Sequence, residues 1–188
     1  MESITEHSGH KMTNTFFISD THFGHEKCCT VFKREDGSPL RPFSNGEEMD
    51  EEMVKRWNSV VRPQDKVYHL GDVVINKKFL PILSRLNGQK RLIMGNHDIF
   101  GSKEYLKYFY EISAYRIFVD QFILTHMPLH PDCVSDRFKV NVHGHTHANS
   151  VLMNLSKIPD KRYFCVCMEQ LDDYTPISLE EIKKCLNV

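Results

Sequence analysis

Apolar residues arrive along this chain in short runs, and several of those runs end directly in polar residues rich in Asp and His. The run at 15–19 has the length and continuity of a buried strand. Across 45–61 the period changes, with Met49, Met53, Trp57 and Val60 recurring at helical spacing. Ser44 or Asn45 offers an N-cap there, ahead of acidic residues in the first turn. Arg62-Pro63-Gln64-Asp65 then turns the chain into a strand at 66–70. A short helix around 79–86 should stop at Asn87-Gly88, a C-cap signature, and a strand at 90–94 follows. The stretch 102–110 has helical spacing but polar character, which predicts a surface segment.

Beyond residue 114 the pattern becomes strands alone. Runs at 115–119 and 122–125, joined at 120–121, predict a hairpin, and 140–143 and 163–168 read as further strands. Ser178 and Glu181 form a capping box for a closing helix at 179–187. A helix–strand half followed by a strand-rich half predicts two sheets packed together and flanked by helices.

A chain of 188 residues suits one domain able to bury roughly two-thirds of its unfolded surface. Residues 13–188 read as that domain. Residues 1–12 read as a disordered extension, with Met12 an alternative start. With 40% hydrophobic and 26% charged residues the composition is that of an ordinary globular protein. The net charge of -1 supplies no general pull toward nucleic acid or an anionic membrane. No apolar stretch approaches the ~20 residues of a bilayer span, and the polar start is unlike a signal peptide. The six Cys lack zinc-ribbon or thioredoxin spacing, so they read as free thiols in a reducing cytoplasm.

What changes this bland picture is a set of five blocks: Asp20-Thr21-His22, Gly71-Asp72, Gly95-Asn96-His97-Asp98, Thr125-His126-Met127-Pro128 and Gly144-His145-Thr146-His147. They contain carboxylates, one amide and several imidazoles, but no Cys. That donor set suits hard-to-borderline divalent metals and is too large for one ion. Asp20 and His22 stand two apart, so a continuing strand would put both on one face. Asp72 follows a Gly, which allows a tight turn and leaves its carboxylate free to bridge two ions. His145 and His147 repeat the two-apart spacing, Asn96 contributes a neutral oxygen and His126 an imidazole. Two such ions, about 3.5–4 Å apart, would clamp a phosphate and activate a bridging water. His69 and His143 fall within strands and read as structural.

At these blocks the chain resembles the calcineurin-like metallophosphoesterase family, whose pattern is D-x-H, G-D, G-N-H-[DE], a lone H, and G-H-x-H. The resemblance implies a four-layer αββα sandwich of two mixed sheets flanked by helices, with the site at its strand ends. It implies one metal on Asp20, His22, Asp72 and His147, and a second on Asp72, Asn96, His126 and His145. His97 would be the general acid and Asp98 would orient it. Through Phe23-Gly24-His25, Arg41-Pro42-Phe43 and Trp57-Asn58 the chain looks like the small single-domain bacterial and phage members.

The function expected is dimetal-dependent hydrolysis of a small, nucleotide-like phosphodiester, with no membrane partner. Manganese is the first choice of metal, and iron, nickel, zinc and cobalt are alternatives for N/O ligands. A nuclease acting on DNA or RNA ends, or a phosphomonoesterase, is the alternative. The nuclease needs a cationic groove, and Lys77-Lys78 and Lys90-Arg91 are the basic pairs near the motifs. His25 and Arg41, just after the first block, are the substrate-contact candidates. The bland alternatives are a helix-capping role for His25 and a solvated loop position for Arg41.

Overall fold

The computed structural model describes residues 13–118, 121–134, 137–153 and 156–187. The expected extension at 1–12 lies outside them. Two sheets form the centre. The first has five strands: β1 (Thr15–Ile18), β2 (Lys66–His69), β3 (Gln89–Ile93), β4 (Glu111–Ser113) and β9 (Ile177–Ser178), in the order β4-β3-β2-β1-β9. All its pairings are parallel except β1 with β9. The second, in the order β5-β6-β7-β8, holds β5 (Arg116–Ile117), β6 (Phe122–Leu124), β7 (Val140–His143) and β8 (Tyr163–Cys165). There β5 runs antiparallel to β6, and the other pairs are parallel.

Strand alternation divides the core in two. Phe17, Tyr68, Leu70 and Ile93 of the first sheet meet Phe122, Leu124, Val140, Val142 and Val166 of the second. On the other face of the first sheet, Phe16, Ile18, Val67 and Leu92 pack beneath helix α2 (Gly46–Val60) through Met49, Met53 and Trp57. A sheet covered on both faces needs apolar residues on both, which is why its strands read as continuous runs. Over the outer face of the second sheet lies the segment 127–134, a 3-10 turn at Pro131–Cys133 included; Leu129 N–H donates to Asn141 Oδ1 and Tyr163 O–H to the Leu129 carbonyl. Helix α4 (Leu179–Leu186) adds Ile182 to the inter-sheet core. Two mixed sheets with flanking helices are the architecture expected. Among the described residues no helix is long and apolar enough to cross a membrane.

Several local expectations change. Asn45 is the N-cap of α2, accepting from Glu48 N–H, but Val60 leaves the buried stripe and is 37% exposed. The short helix expected at 79–86 is a 3-10 helix, Lys77–Arg85, that starts two residues earlier and carries Pro81 inside it. The expected surface segment at 102–110 holds helix α3 (Ser102–Tyr105) and buries Tyr105 and Phe109. The hairpin forms through Ile117↔Ile123, and residues 119–120 of its connection lie outside the described set. Ser178 and Glu181 make the expected capping box on α4. All six Cys are free thiols.

Register brings the strand ends together. Ile18 lies beside His69 and His69 beside Leu92, so β1, β2 and β3 stop at one level. The same end of the second sheet is joined to it by a parallel bridge between Ser19 and Cys167. Ser19 N–H donates to the Val166 carbonyl at 2.8 Å. Parallel strands that end together open a crevice at their carboxyl ends.

Candidate metal centre

Five of the expected ligands have left-handed backbone: Asp20 (φ 57°), His22 (φ 45°), Asp72 (φ 57°), His145 (φ 69°) and His147 (φ 49°). Each such non-glycine residue costs of order 1 kcal/mol or more, and such strain clusters at functional sites. The expectation that Asp20 and His22 share a face by strand alternation is therefore corrected. β1 has ended at Ile18, and the pair converges through left-handed turns. The β1–β2 ladder continues through those turns, Asp20 N–H reaching the Gly71 carbonyl and His22 N–H the Asp72 carbonyl. Glycine is required where the loops touch. A Cβ on Gly71, at φ +94°, would sit 2.7 Å from His126 Nδ1, and one on Gly144 would sit 2.5 Å from Asp20 Oδ2.

Two donor clusters result, Asp20 with His22 and His147, and Asp72 with His126 and His145. Asp72 Oδ2 lies between them, 3.6 Å from His22 Nε2 and 3.4 Å from His126 Nε2. Its other oxygen is fixed by His97 N–H at 2.8 Å. Asn96 Oδ1 joins the second cluster, 2.9 Å from His126 Nε2.

The residues fit metal ions on two observations. Asp20 Oδ1 is buried without a hydrogen-bond partner, 3.7 Å from His22 Nε2 and 3.8 Å from His147 Nε2. Those separations exceed a hydrogen bond and suit two donors sharing one ion at about 2.1 Å each. His126 Nδ1 must donate to the Leu70 carbonyl, 2.7 Å away, so Nε2 faces only the oxygens of Asn96 and Asp72. A lone pair aimed at two oxygens suits a cation between them. Without an ion the cation is a proton: burial lowers the His126 pKa, but Asp72, Asp20 and the Leu70 carbonyl outweigh it and raise it to about 9. Burial likewise raises Asp20, yet the imidazoles of His22, His126 and His147 hold it well below the carboxylate range.

Residues 14–156 match the calcineurin-like phosphoesterase superfamily domain. This chain belongs to that family. It is 35% identical over 182 residues to the protein MJ1445 of Methanocaldococcus jannaschii, covering 92% of this chain and 91% of that one. The Gene 66 protein of Mycobacterium phage L5 is 31% identical over 177 residues, covering 75% and 81%. Among solved structures, a protein of unknown function from Aquifex aeolicus superposes with a TM-score of 0.67 at 27% identity, over 93% of this chain and all of that one. The protein is a phosphoester hydrolase of a dimetal-dependent family, and its two donor clusters are candidate sites for such ions.

Around the clusters of this phosphoesterase lies a supporting network that only part of the sequence reading anticipated. Arg41 is not a substrate contact, nor a solvated loop cation: it is fully buried and donates to the carbonyls of Asp20 and Thr21 and to Glu169. Its guanidinium holds the carbonyls of the turn at Asp20 and Thr21 from beneath, and is shut off from the crevice by its burial. Glu169, which follows β8 without any motif, was not foreseen; its Oε1 is 3.2 Å from His147 Nδ1. Burial raises its pKa, but Arg41 and His147 bring it down to about 2. Cys167 Sγ and His145 N–H both donate to Asp20 Oδ2. Such outer contacts fix ligand orientation.

Asp98 does not reach the His97 ring, because its oxygens accept from the backbone N–H of Asp72, Val73 and Gly95. It ties the second and third ligand loops together. His97 stands exposed at the crevice, its ring 5.4 Å from that of His22. The His25 ring packs on those of His22 and Phe32, and its Nδ1 is buried without a partner. The helix after it, α1 (Lys27–Thr30), has no side-chain cap, so the capping alternative falls. His69 is structural as expected, accepting from Gly71 N–H while its Nε2 lies 3.0 Å from Thr21 Oγ1. His143 is likewise structural, its Nδ1 bonded to the Gly144 carbonyl.

Proposed function

We propose that this phosphoesterase hydrolyses small, nucleotide-like phosphodiesters with two divalent ions, manganese first among them. The observation that carries the reading is the single carboxylate oxygen of Asp72 lying between two three-residue donor clusters. Ions in those clusters would polarise the phosphate and lower the pKa of an attacking water. The thiol-free ligand set favours manganese or another borderline metal over a thiolate-seeking one.

The chain's own residues supply the rest. Asp72, pinned by His97 N–H, bridges the clusters. His97, adjacent to Asn96 in sequence and exposed beside His22, donates a proton to the leaving oxygen. Asp98 acts as a positioning residue through the loops it joins. His25, whose pKa burial and the neighbouring His22, Arg41 and His97 lower to about 4, lends a neutral imidazole to the phosphate. Clefts open on both sides of the centre, one sharing Asn96 and His126, the other sharing His147. Room on both sides favours an ester with two substituents. Free thiols support the cytoplasm as its compartment.

Nuclease action is the second reading, favoured by Lys33, Arg34 and Lys157 in the cleft beside His147. The basic pairs flagged in sequence do not help it: Lys77 pairs with Glu104, and Lys90 is buried against the Leu86 carbonyl. The test is turnover of bis(p-nitrophenyl) phosphate and of p-nitrophenyl phosphate with added manganese, beside a gel assay on single-stranded and duplex nucleic acid. Diester turnover with intact nucleic acid is expected. Turnover of the monoester alone, or degradation of nucleic acid ends, would replace this reading.

A further inference from the structure

The two flanks of the centre differ in chemistry. Beside His147 the cleft is charged, with Lys33, Arg34, Glu35, Asp36 and Lys157 in its lining. Beside Asn96 and His126 lies a second cleft of about 590 Å³, lined chiefly by Met94, Ala114, Tyr115, Ile123, Met127 and Leu129. Apart from the ligand His126, no ionisable side chain other than the Tyr115 phenol lines it among the described residues. Its one hydroxyl of an aliphatic residue, on Thr125, is already committed, donating to the Met127 carbonyl and accepting from Asn141 Nδ2.

Such a cleft has the volume of a small-molecule site and a mostly apolar lining, with the Asn96 amide and the Tyr115 hydroxyl as its uncommitted polar side-chain groups beside His126. Tyr115 is 59% exposed and Met127 48% exposed, so the cleft leaves two large apolar side chains facing water. An uncharged, water-averse occupant would cover them. Because Asn96 and His126 line both the cleft and the metal centre, that occupant is continuous with the phosphate. It is therefore one of the ester's own substituents. A phenol ring and two thioethers together favour a planar π-system over a flexible chain, since rings stack on tyrosine and sulfur packs on ring edges.

We infer that the Tyr115–Met127 cleft is a specificity subsite holding a planar aromatic substituent, a nucleobase or a plain aryl ring, of the phosphoester. The inference rests on the diesterase reading above. It places the aromatic group on the Asn96–His126 side and leaves the charged side beside His147 to the other substituent.

The test is binding of non-hydrolysable phosphonates to the manganese-loaded protein, measured by titration calorimetry. Methylphosphonate reports the phosphonate alone, phenylphosphonate adds an aryl ring, octylphosphonate adds a flexible chain, and the phosphonate isostere of AMP adds a nucleobase. Phenylphosphonate should bind about 5- to 150-fold tighter than methylphosphonate, the range for one base stacked on one aromatic side chain. The AMP isostere exceeding the phenyl compound identifies a nucleobase as the occupant, and the reverse identifies an aryl group. Tyr115→Ala and, separately, Met127→Ala should each bring the phenyl-to-methyl ratio toward one; both side chains are exposed, so folding is spared. A wild-type ratio of one, a ratio kept in both variants, or octylphosphonate binding tighter than both ring compounds overturns the subsite. Turnover of bis(p-nitrophenyl) phosphate is followed in parallel. Its absence, with the binding ratios as expected, sinks the diesterase reading and spares the cleft; its presence with flat ratios does the opposite.

Discussion

Arg41 and Glu169, 128 residues apart in sequence, form a fully buried ion pair beneath the first donor cluster, with Nε and Nη2 each 2.8 Å from the same carboxylate oxygen. The pair touches both halves of that cluster: Arg41 holds the backbone of Asp20 and Thr21, and Glu169 reaches His147. One buried contact thus joins a loop of the first sheet to the last ligand of the second.

Removing one charge of a buried pair leaves the other uncompensated, which typically costs about 3–5 kcal/mol. Glu169→Gln should therefore lower the unfolding free energy by about that much, read by urea denaturation, and weaken metal retention at the first cluster more than at the second. A loss below about 1 kcal/mol, the scale of an exposed pair, would mean that the pair is not the joint described.

Asp72→Asn should lower occupancy of both metals together, because one oxygen serves both clusters. Asp20→Asn should empty the first cluster and leave the second partly filled. Metal analysis of the purified variants separates the two outcomes. Two equivalents still bound to Asp72→Asn protein would refute the bridging assignment.

His97→Ala should keep its metals and lose about 10²–10⁴-fold in rate on an ester with an alkyl or nucleoside leaving group, the usual worth of general-acid help. On a nitrophenyl ester the loss should be much smaller, since that leaving group departs without a proton. Equal losses on both esters would place His97 in phosphate binding instead.

In the metal-free protein His126 has a pKa raised from 6.5 to about 9. A raised imidazole contributes stability that is fully present below its unfolded value and is lost as pH climbs through the folded one. The metal-free melting temperature should fall between about pH 6.5 and 9 for this reason, and His126→Gln should flatten that fall. Metal uptake inside the same window should release a proton, detectable as a buffer-dependent heat in calorimetry. Uptake with no proton release at pH 7.5 would argue that the ring is already neutral.

The residues of the two candidate donor clusters were legible in the sequence. Asp, Asn and His beside Gly at the ends of apolar runs carry their chemistry in their identity, and short spacing keeps them together wherever the loops go. Helix α2 was legible for a similar reason, because period and Asn45 cap lie within one segment. The edge strands β4 and β9 were not. Three and two residues long, they exist through pairing with β3 and β1 and have no period of their own. Tyr105 and Phe109 looked exposed because neighbouring polar residues masked the face that packs inward.

Sequence alone therefore determined the family and named the candidate metal donors. Tertiary structure decided how they converge: left-handed turns in place of strand alternation, Arg41 drawn inward to Glu169, and Asp98 spent on backbone N–H groups instead of His97. The physical reason is range. A ligand's donor atom is a property of one residue, whereas a buried charge is tolerated only with a partner, and that partner can lie anywhere along the chain.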